Sequence, residues 1–249
     1  MAGHSKWANI RHRKGAQDAK RGKIFTKIIK EISVAVKTGG GPDIDANPRL
    51  RAAVQSAKAQ NMPKDNIERA IKKASGAGGE DYKETTFEGY GPDGVAIFVE
   101  CATDNSNRTV ANVRMHFGKN NGTLGKDGSL QFVFDRKGVF VIKTDEGFDE
   151  DELTLELIDV GAEDFELDEG LFTVYTPMGD FGAVQKRLQE LSVEPIEAGL
   201  QRVPNMTKNL SEKHIKGFLK LLDGLEDDDD VQKVYHNADI DEALLEQYL

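Results

Sequence analysis

Two observations, a change in hydrophobic spacing and an order of expected elements, predict that this 249-residue chain is a multidomain α and β protein. Up to Ser75 the apolar side chains recur at helical spacing, whereas after Gly79 they alternate as in strands. Between residues 139 and 203 the expected elements follow the order β-α-β-β-α-β, the ferredoxin-like arrangement. We therefore expect an N-terminal three-helix bundle, then an α+β domain with an inserted ferredoxin-like (βαββαβ) domain. The predicted boundaries are 1-79 for a basic helical arm and bundle, 80-134 plus 204-249 for a discontinuous α+β domain, and 135-203 for the inserted domain.

The chain begins with a short basic arm and an amphipathic helix. Residues 1–15 carry only Trp7 and Ile10 as large apolar groups, too few to offset the entropy of ordering, which predicts a mobile arm. From Ala16 to Lys37 the apolar side chains share one helical face and lysines share the opposite face. The predicted inward side chains are Ile24, Phe25, Ile28, Ile29, Ile32, Ala35 and Val36, and the lysine stripe is Lys20, Lys23, Lys27, Lys30 and Lys37. The run Gly-Gly-Gly-Pro at 39–42 ends the helix, because proline cannot continue it.

Two further helices complete the predicted bundle. Asn47 is an N-cap followed by proline at the first helical position, and Pro63 opens the next helix in a similar way. Residues 75–79 form a glycine-rich linker. Beyond it the predicted strands are 85–90, 95–103, 130–134, 139–143, 164–167, 171–176, 195–203 and 231–235, and the predicted helices are 106–120, 149–160, 179–191 and 211–225. We expect the last of these strands to complete the sheet begun at residues 85–134.

The net charge of −10 averages two regions of opposite sign. Residues 1–76 hold 17 Lys and Arg against 6 Asp and Glu, whereas residues 77–249 hold 16 against 37. A basic region confined to one end favours a polyanion, because lysine and arginine that neutralise phosphates release condensed counterions. We predict nucleic-acid contacts at Lys6, Arg11, Arg13, Lys14, Lys20, Arg21, Lys23, Lys27, Lys30, Arg49 and Arg51. The alternatives are a solvated helix face and, less favoured, a membrane surface, since the helix needs its apolar face for the bundle.

Three polar clusters have structural as well as functional interpretations. Arg49 and Arg51 lie at the start of a helix, where backbone N–H groups favour phosphate, but two solvated arginines explain them equally well. Arg108 is a lesser candidate for a functional surface, because Asn105 or Ser106 explains the local sequence as a helix N-cap. The four aspartates at 227–230 lack the spacing and glycine of a calcium loop, which favours a solvated turn before a strand.

No arrangement in the sequence predicts catalysis or a bound cofactor. Cys101 lies in an alternating strand pattern and is expected to be a small buried hydrophobic residue. The five histidines lack metal-ligand spacing. Residues 76–79 are glycine-rich but follow a helix and lack the Gly-Lys-Ser/Thr of a phosphate loop. We therefore predict a protein that is not an enzyme and uses no metal, no cofactor and no small-molecule substrate.

The expected location is the cytoplasm. One cysteine permits no disulfide framework, which suits a reducing compartment. No window approaches the ~18 consecutive apolar residues of a membrane span. Residues 1–15 also lack the apolar core of a secretory signal.

Several strings along the chain resemble the YebC/PmpR family. They are residues 1–14 (MAGHSKWANIRHRK), 18–27 (DAKRGKIFTK), 47–51 (NPRLR), 88–92 (EGYGP), 104–109 (DNSNRT) and 229–237 (DDVQKVYHN). The resemblance runs from end to end, and the strings together are highly specific. It implies three domains, namely a helical bundle followed by an α+β domain that contains an inserted ferredoxin-like domain.

The same resemblance implies a cytoplasmic transcriptional regulator that binds promoter DNA. A mitochondrial relative is a translational activator of cytochrome oxidase, and bacterial relatives are linked to ribosomes. We therefore expect a DNA-binding transcriptional regulator, with a ribosome- or RNA-binding translation factor as the alternative. Charge does not separate promoter DNA from rRNA or mRNA, since all offer phosphates. The sequence leaves open the base-reading residues, the target genes and the oligomeric state, and it suggests only that the acidic domains act as scaffold and partner surface.

Overall fold

The computed structural model of this chain describes residues 21–76, 81–144, 148–168 and 170–241, together with Leu244 and Gln247. Contacts between residues divide the chain into two compact units. Of the described residues, 21–27, 81–135 and those from 202 onward belong to the first unit. Residues 28–76 and those of 136–201 belong to the second unit. The boundaries predicted for three separate domains stay a prediction.

The helices and strands follow one another in a mixed α and β order. In chain order the helices are α1 (Arg21–Thr38), α2 (Pro48–Ala59), α3 (Lys64–Ser75), α4 (Ser106–Lys119), α5 (Glu150–Ile158), α6 (Phe181–Glu190) and α7 (Glu212–Glu226). The strands are β1 (Lys83–Tyr90), β2 (Ala96–Thr103), β3 (Thr123–Leu124), β4 (Phe134–Lys143), β5 (Asp164–Asp168), β6 (Leu171–Pro177), β7 (Glu197–Pro204), β8 (Lys208–Asn209), β9 (Val231–His236) and β10 (Ala238–Asp239). None of the helices in these described ranges is long and apolar enough to cross a membrane.

The turn between α1 and α2 is fixed by one buried asparagine. Asn47 is the predicted N-cap of α2, and its Oδ1 accepts the N–H of Leu50 at 3.0 Å. Its Nδ2 donates to the carbonyl oxygens of Ala35 at 2.8 Å and Gly41 at 2.9 Å. Glycine is required beside it, because a Cβ on Gly39 would lie 2.5 Å from Asn47 Oδ1. The asparagine thus joins the end of one helix to the start of the next.

Burial along α1 departs from the predicted two-faced pattern. Ile32, Ala35 and Val36 are buried as expected, but Ile29 is 38% exposed and Lys30 is only 7% exposed. Every side chain from Ile32 to Val36 is buried, so protein surrounds this part of the helix. A single apolar face therefore cannot describe it, and the predicted lysine stripe is wrong at Lys30.

The first unit contains an antiparallel sheet with strands in the order β3-β1-β2-β9. β9 pairs with β2, which confirms that the chain returns to complete this sheet. One face packs against α4 and α7 around the fully buried side chains of Val99, Val113 and Phe218. The other face carries Phe98 and Tyr235, each at most 4% exposed.

The strand predicted at 130–134 is wrong. Residues 127–133 form turns, and β4 begins only at Phe134. The carboxylate of Glu88 accepts the N–H of Gly128 at 3.0 Å, the N–H of Leu130 at 2.6 Å and the hydroxyl of Ser129 at 3.2 Å. A distant acid therefore satisfies the donors that a strand partner would otherwise take.

The second unit contains the predicted β-α-β-β-α-β run, from β4 to β7. Its sheet has the order β5-β6-β4-β7, and the β4–β6 and β5–β6 pairs are antiparallel. The rings of Phe140 and Phe181 stack with centroids 4.8 Å apart between the sheet and α6. Ala52 of α2 belongs to the same buried cluster, so α2 shares a core with this sheet.

Candidate nucleic-acid interface

The structure describes the side chains of five of the predicted contact residues, namely Lys23, Lys27, Lys30, Arg49 and Arg51. The arm residues Lys6, Arg11, Arg13, Lys14 and Lys20 and the side chain of Arg21 lie outside the described set, and their contacts stay a prediction. The five described residues do not form one continuous exposed stripe. Three different sets of partners hold four of them, and the fifth is buried.

Lys23 and Lys27, one turn apart on α1, lie at the carboxyl end of α7. Lys23 Nζ donates to the carbonyl oxygen of Asp227 at 3.0 Å and lies 3.5 Å from its Oδ1. Lys27 Nζ donates to the carbonyl oxygen of Glu226 at 2.6 Å. These carbonyls end a 15-residue helix and carry the negative end of its dipole. The two lysines therefore cap α7, a role that the sequence analysis did not predict.

The two lysines differ in their exposure to solvent. The Lys23 side chain is 47% exposed, whereas that of Lys27 is partly buried. Burial lowers the pKa of Lys27, and the nearby carboxylates of Glu226 and Asp228 act in the opposite direction. Lys23 is thus a surface cation, while Lys27 lies between the helices.

Lys30 cannot serve as an exposed phosphate contact. Its side chain is 7% exposed, and Ser33 and Val34, which follow it on the same side of α1, are also buried. The prediction failed because it assigned this side of the helix to solvent.

Arg49 is held by α1. Its Nε and Nη2 donate to the two carboxylate oxygens of Glu31 at 2.8 and 3.2 Å, and Nη1 donates to Thr38 Oγ1 at 3.2 Å. The fork-to-fork geometry is the strongest form of this ion pair, and both side chains are about one-third exposed (33% and 31%). Arg49 therefore joins α2 to α1, and a phosphate contact there stays a prediction.

Arg51 is held by polar groups on both sides. Its Nη1 donates to Gln185 Oε1 at 3.1 Å, and its Nη2 donates to the carbonyl oxygen of Asp45 at 2.5 Å. Gln185 is 1% exposed and donates in turn to Gln55 Oε1 at 3.3 Å. This network joins α2 to α6, so the arginines predicted as solvated or phosphate-bound both carry packing contacts.

The residues Glu226–Asp230, here called the acidic segment, are far more ordered than the predicted solvated turn. Asp230 is 1% exposed and accepts Arg108 Nε at 2.9 Å, Arg108 Nη2 at 2.7 Å and Thr109 Oγ1 at 2.9 Å. Asp228 accepts Asn112 Nδ2 at 2.8 Å. The prediction of a solvated turn is therefore wrong for these two aspartates.

Arg108, the lesser candidate, is an ion-pair donor within the first unit. Asn105 is the N-cap of α4, as predicted, with its Oδ1 3.2 Å from the N–H of Arg108. Arg108 also donates to Asp104 Oδ1 at 2.7 Å. The hydrogen bonds to Asp230 and Asp104 raise the pKa of its guanidinium. Its charge is thus matched by carboxylates of the same chain.

Cys101 is buried, as predicted. Burial is the main cause that raises the pKa of its thiol to about 12, and the carboxylates of Asp228 and Asp230 add to the effect. A thiol with this pKa stays protonated at neutral pH and is a poor nucleophile. Within the described ranges, no three His, Cys, Asp or Glu side chains are grouped to hold a metal ion.

One cluster that the sequence analysis missed has serine, histidine and aspartate in contact. Ser211 Oγ lies 2.6 Å from Asp93 Oδ2 and 3.2 Å from His214 Nδ1, and that same nitrogen lies 2.7 Å from Asp93 Oδ1. In a catalytic triad the imidazole stands between the hydroxyl and the carboxylate, whereas here the carboxylate contacts both. Ser211 is the N-cap of α7, so the cluster fixes the amino end of that helix.

The hydroxyl of Ser211 has the largest effect on Asp93. Its hydrogen bond, with that of the Ser211 N–H, lowers the pKa of Asp93 to about 2. Asp93 comes from a turn with φ of 58°, over a hundred residues before α7 in the chain. No local sequence signal could have revealed this contact.

Helices α2 and α3 also carry exposed cations that the prediction did not include. Lys58 lies at the end of α2, and Lys64, Arg69 and Lys72 lie on α3. Lys64 and Glu68 form a pair at 3.5 Å, and Arg69 donates to Asn66 Oδ1 at 2.6 Å. These side chains contribute to the positive charge of residues 1–76, but no spacing in the sequence indicated them as nucleic-acid contacts.

Comparisons with known proteins identify the same family over both parts of the chain. The family models that match are described as the TACO1/YebC protein N-terminal domain, over residues 5–77, and the TACO1/YebC second and third domain, over residues 82–238. A protein of Amoebophilus asiaticus named "Probable transcriptional regulatory protein" is 55% identical over 239 residues, which cover 95% of this chain and 98% of that protein. A protein of Clostridium botulinum with the same name is 52% identical over 244 residues, covering 98% and 99%.

A solved structure is similar over most of the chain. It is the crystal structure of a conserved hypothetical protein from Aquifex aeolicus, which is 42% identical and superposes with a TM-score of 0.81. The match covers 90% of this chain and 93% of that chain. The mixed α and β fold described above is therefore shared with a protein solved by experiment.

Proposed function

We propose that this chain, which belongs to the TACO1/YebC family, is a DNA-binding transcriptional regulator. Membership of this family supports a role as a regulator. Its basic N-terminal region binds the phosphates of DNA, and the acidic remainder of the chain does not contact the DNA. The location that we propose is the cytoplasm, in keeping with a single cysteine that is buried and free. The protein acts by binding and uses no catalytic group.

The single observation that carries this proposal is the separation of charge. Residues 1–76 have 17 Lys and Arg against 6 Asp and Glu, and the rest of the chain has a large acidic excess. A polyanion gains affinity from the first region through counterion release and is repelled by the second. The name "Probable transcriptional regulatory protein" of two close relatives supports nucleic acid as the partner.

The proposed contacts now concentrate at the start of the chain. They are Lys6, Arg11, Arg13, Lys14, Lys20 and Arg21, with Lys23 and Lys27 at the first turns of α1. Arg49 and Arg51 are secondary members, since Glu31 and Gln185 already engage them. If ~6 phosphates are neutralised, the slope of log affinity against log salt is about −5.

The test is the salt dependence of binding to duplex DNA, measured by fluorescence anisotropy. Replacing Lys6, Arg11, Arg13 and Lys14 with Gln should flatten the slope by about three to four units, close to one per lost phosphate contact. The matched control replaces Lys208, Lys213, Lys216 and Lys220 with Gln, which removes the same charge from exposed positions of the first unit. A slope equally insensitive to both sets would contradict the proposed interface.

A second candidate function is an RNA-binding translation factor, and one observation favours it. Phe132 is 80% exposed on the turn that Glu88 fixes, and Asn205 Nδ2 donates to its carbonyl oxygen at 3.3 Å. Exposed aromatic rings stack on unpaired bases, which RNA offers and duplex DNA does not. Competition between a promoter duplex and a structured RNA at one salt concentration separates the candidates. An RNA preference of about a hundredfold, worth ~2.7 kcal/mol, would replace the first proposal with the second.

A further inference from the structure

The contact between α1 and the carboxyl end of α7 joins residues far apart in sequence. Lys27 and Glu226 are separated by 199 positions, and Lys23 and Asp227 by 204. Both lysines are proposed phosphate contacts, yet both donate to the acidic segment of the same chain. An anionic partner thus already occupies part of the proposed interface within the first unit.

The acidic segment is held rigidly from one side by α4. Asp228 and Asp230 point inward, where Asn112 and Arg108 bind them. Asp228 also accepts the N–H of Asp230 at 2.9 Å, which fixes the turn between them. These inner aspartates position the segment, and their carboxylates are already engaged by hydrogen-bond donors of α4.

The outer aspartates alternate with the inner ones. Asp227 and Asp229 are exposed, and the Asp227 side chain is 51% exposed beside Lys23. The last carbonyls of α7 lie in the same place and add the negative end of the helix dipole. The Asp227 carboxylate and two carbonyl oxygens thus lie at the two ammonium groups, as phosphate oxygens would.

We propose that the acidic segment is an intramolecular competitor of nucleic acid for Lys23 and Lys27. This inference rests on the proposed function, because it concerns the same lysines. Polyanion binding releases Lys23 from Asp227 and weakens the cap that Lys27 places on α7. The segment therefore sets a threshold, so that only a polymer with closely spaced phosphates takes over both lysines.

The ion pair between Lys23 and Asp227 is of a kind that another anion can replace. Lys23 and Asp227 are each about half exposed (47% and 51%), and exposed pairs of this kind contribute little and are screened by salt. A polymer that brings several phosphates at once can replace such a partner. The bidentate pair of Arg49 and Glu31 lacks this accessibility.

The test neutralises the outer aspartates and leaves the inner ones intact. Asp227→Asn with Asp229→Asn should tighten binding to duplex DNA about two- to tenfold near physiological salt. The matched control is Glu212→Gln with Asp239→Asn, which removes the same charge from exposed positions of the first unit outside the segment. The control should change affinity by less than about twofold, because Glu212 lies at the opposite end of α7 and exposed charges are screened by salt. Circular dichroism and urea midpoints confirm that each variant is folded.

Adding Lys23→Gln to the outer-aspartate variant distinguishes competition for Lys23 from a general electrostatic effect of removing two negative charges. If the acidic segment competes for Lys23, this third change abolishes most of the gain. If the gain survives it, or if the control tightens binding equally, the inference is overturned while the proposed function stands. If neither the wild-type chain nor any variant binds DNA or RNA at low salt, the proposed function fails and the inference fails with it.

Discussion

Two regions of this protein hold basic side chains that the sequence assigned to nucleic acid, and they hold them differently. At the start of α2, Arg49 and Arg51 bind side chains and a carbonyl within the second unit, and Gln185 is buried there. At the start of α1, Lys23 and Lys27 bind the carbonyl oxygens that end α7 in the first unit. The first arrangement joins helices through planar, directed bonds, whereas the second places point charges beside a helix end. Equal charge in the sequence thus corresponds to directed packing bonds in one place and, at Lys23, to an exposed ion pair in the other.

The largest effect is expected at the aspartate that anchors the acidic segment. Asp230→Ala leaves Thr109 and Arg108 without their shared acceptor, and we expect it to lower the free energy of unfolding by about 2–4 kcal/mol. Urea unfolding measures the loss. Asp223→Ala, at an exposed position of α7, should stay within about 0.5 kcal/mol of the wild type. A tolerated Asp230→Ala would mean that the segment is not rigidly held.

A smaller loss of stability is expected at the start of α2. Arg49→Gln removes the two bonds to Glu31 and should lower the free energy of unfolding by about 1 kcal/mol. It should flatten the salt slope of DNA binding by less than about half a unit, because Glu31 already engages this secondary contact. Lys58→Gln, at an exposed position of α2, serves as the control for lost charge. A slope that flattens by about one unit without loss of stability would make Arg49 a full phosphate contact.

Lys23→Gln should do the opposite of Arg49→Gln, by changing DNA binding more than stability. The exposed pair with Asp227 contributes little, so stability should change by less than about 0.5 kcal/mol. The salt slope should nevertheless flatten by about one unit, the share of one phosphate contact. Lys220→Gln, exposed on α7, should change neither quantity. Loss of stability with an unchanged slope would make Lys23 a structural cap alone.

The smallest effect concerns the opposite end of α7 and depends on pH. Asp93 has a pKa of about 2 in the folded chain against an ordinary value of 3.8. Its carboxylate therefore stabilises the fold above the ordinary pKa, and this contribution is lost as the pH falls through about 2. Asp93→Asn should be less stable than the wild type at neutral pH, and the difference should shrink in acid. Urea midpoints measured across that range test it, and a pH-independent difference would contradict it.

Much of the fold follows from local pattern. Helical spacing and the Asn47 cap located α2, and alternating strands located the β-α-β-β-α-β run. The strand predicted at 130–134 failed because Glu88, about forty residues earlier, binds the backbone of that turn. The sequence around Leu130 and Phe134 contains no signal that Glu88 contacts this turn.

The candidate site was harder to predict than the fold for the same physical reason. Lysine and arginine positions reveal charge, but their partners lie elsewhere in the chain, at Glu31, Gln185 and Glu226. Four consecutive aspartates suggest a solvated turn, yet a turn directs alternate side chains to opposite sides. Asp228 and Asp230 became buried through Asn112 and Arg108, residues more than a hundred positions away.

We expect nucleic acid to contact the basic start of the chain, while the acidic remainder of the chain stays clear of it. Lysine acetylation footprinting with mass spectrometry, with and without bound DNA, tests it most directly. The account predicts strong protection of Lys6, Lys14, Lys20 and Lys23 and unchanged reactivity of Lys213, Lys216 and Lys220. Protection of the α7 lysines, with unchanged reactivity at the start of the chain, would contradict it.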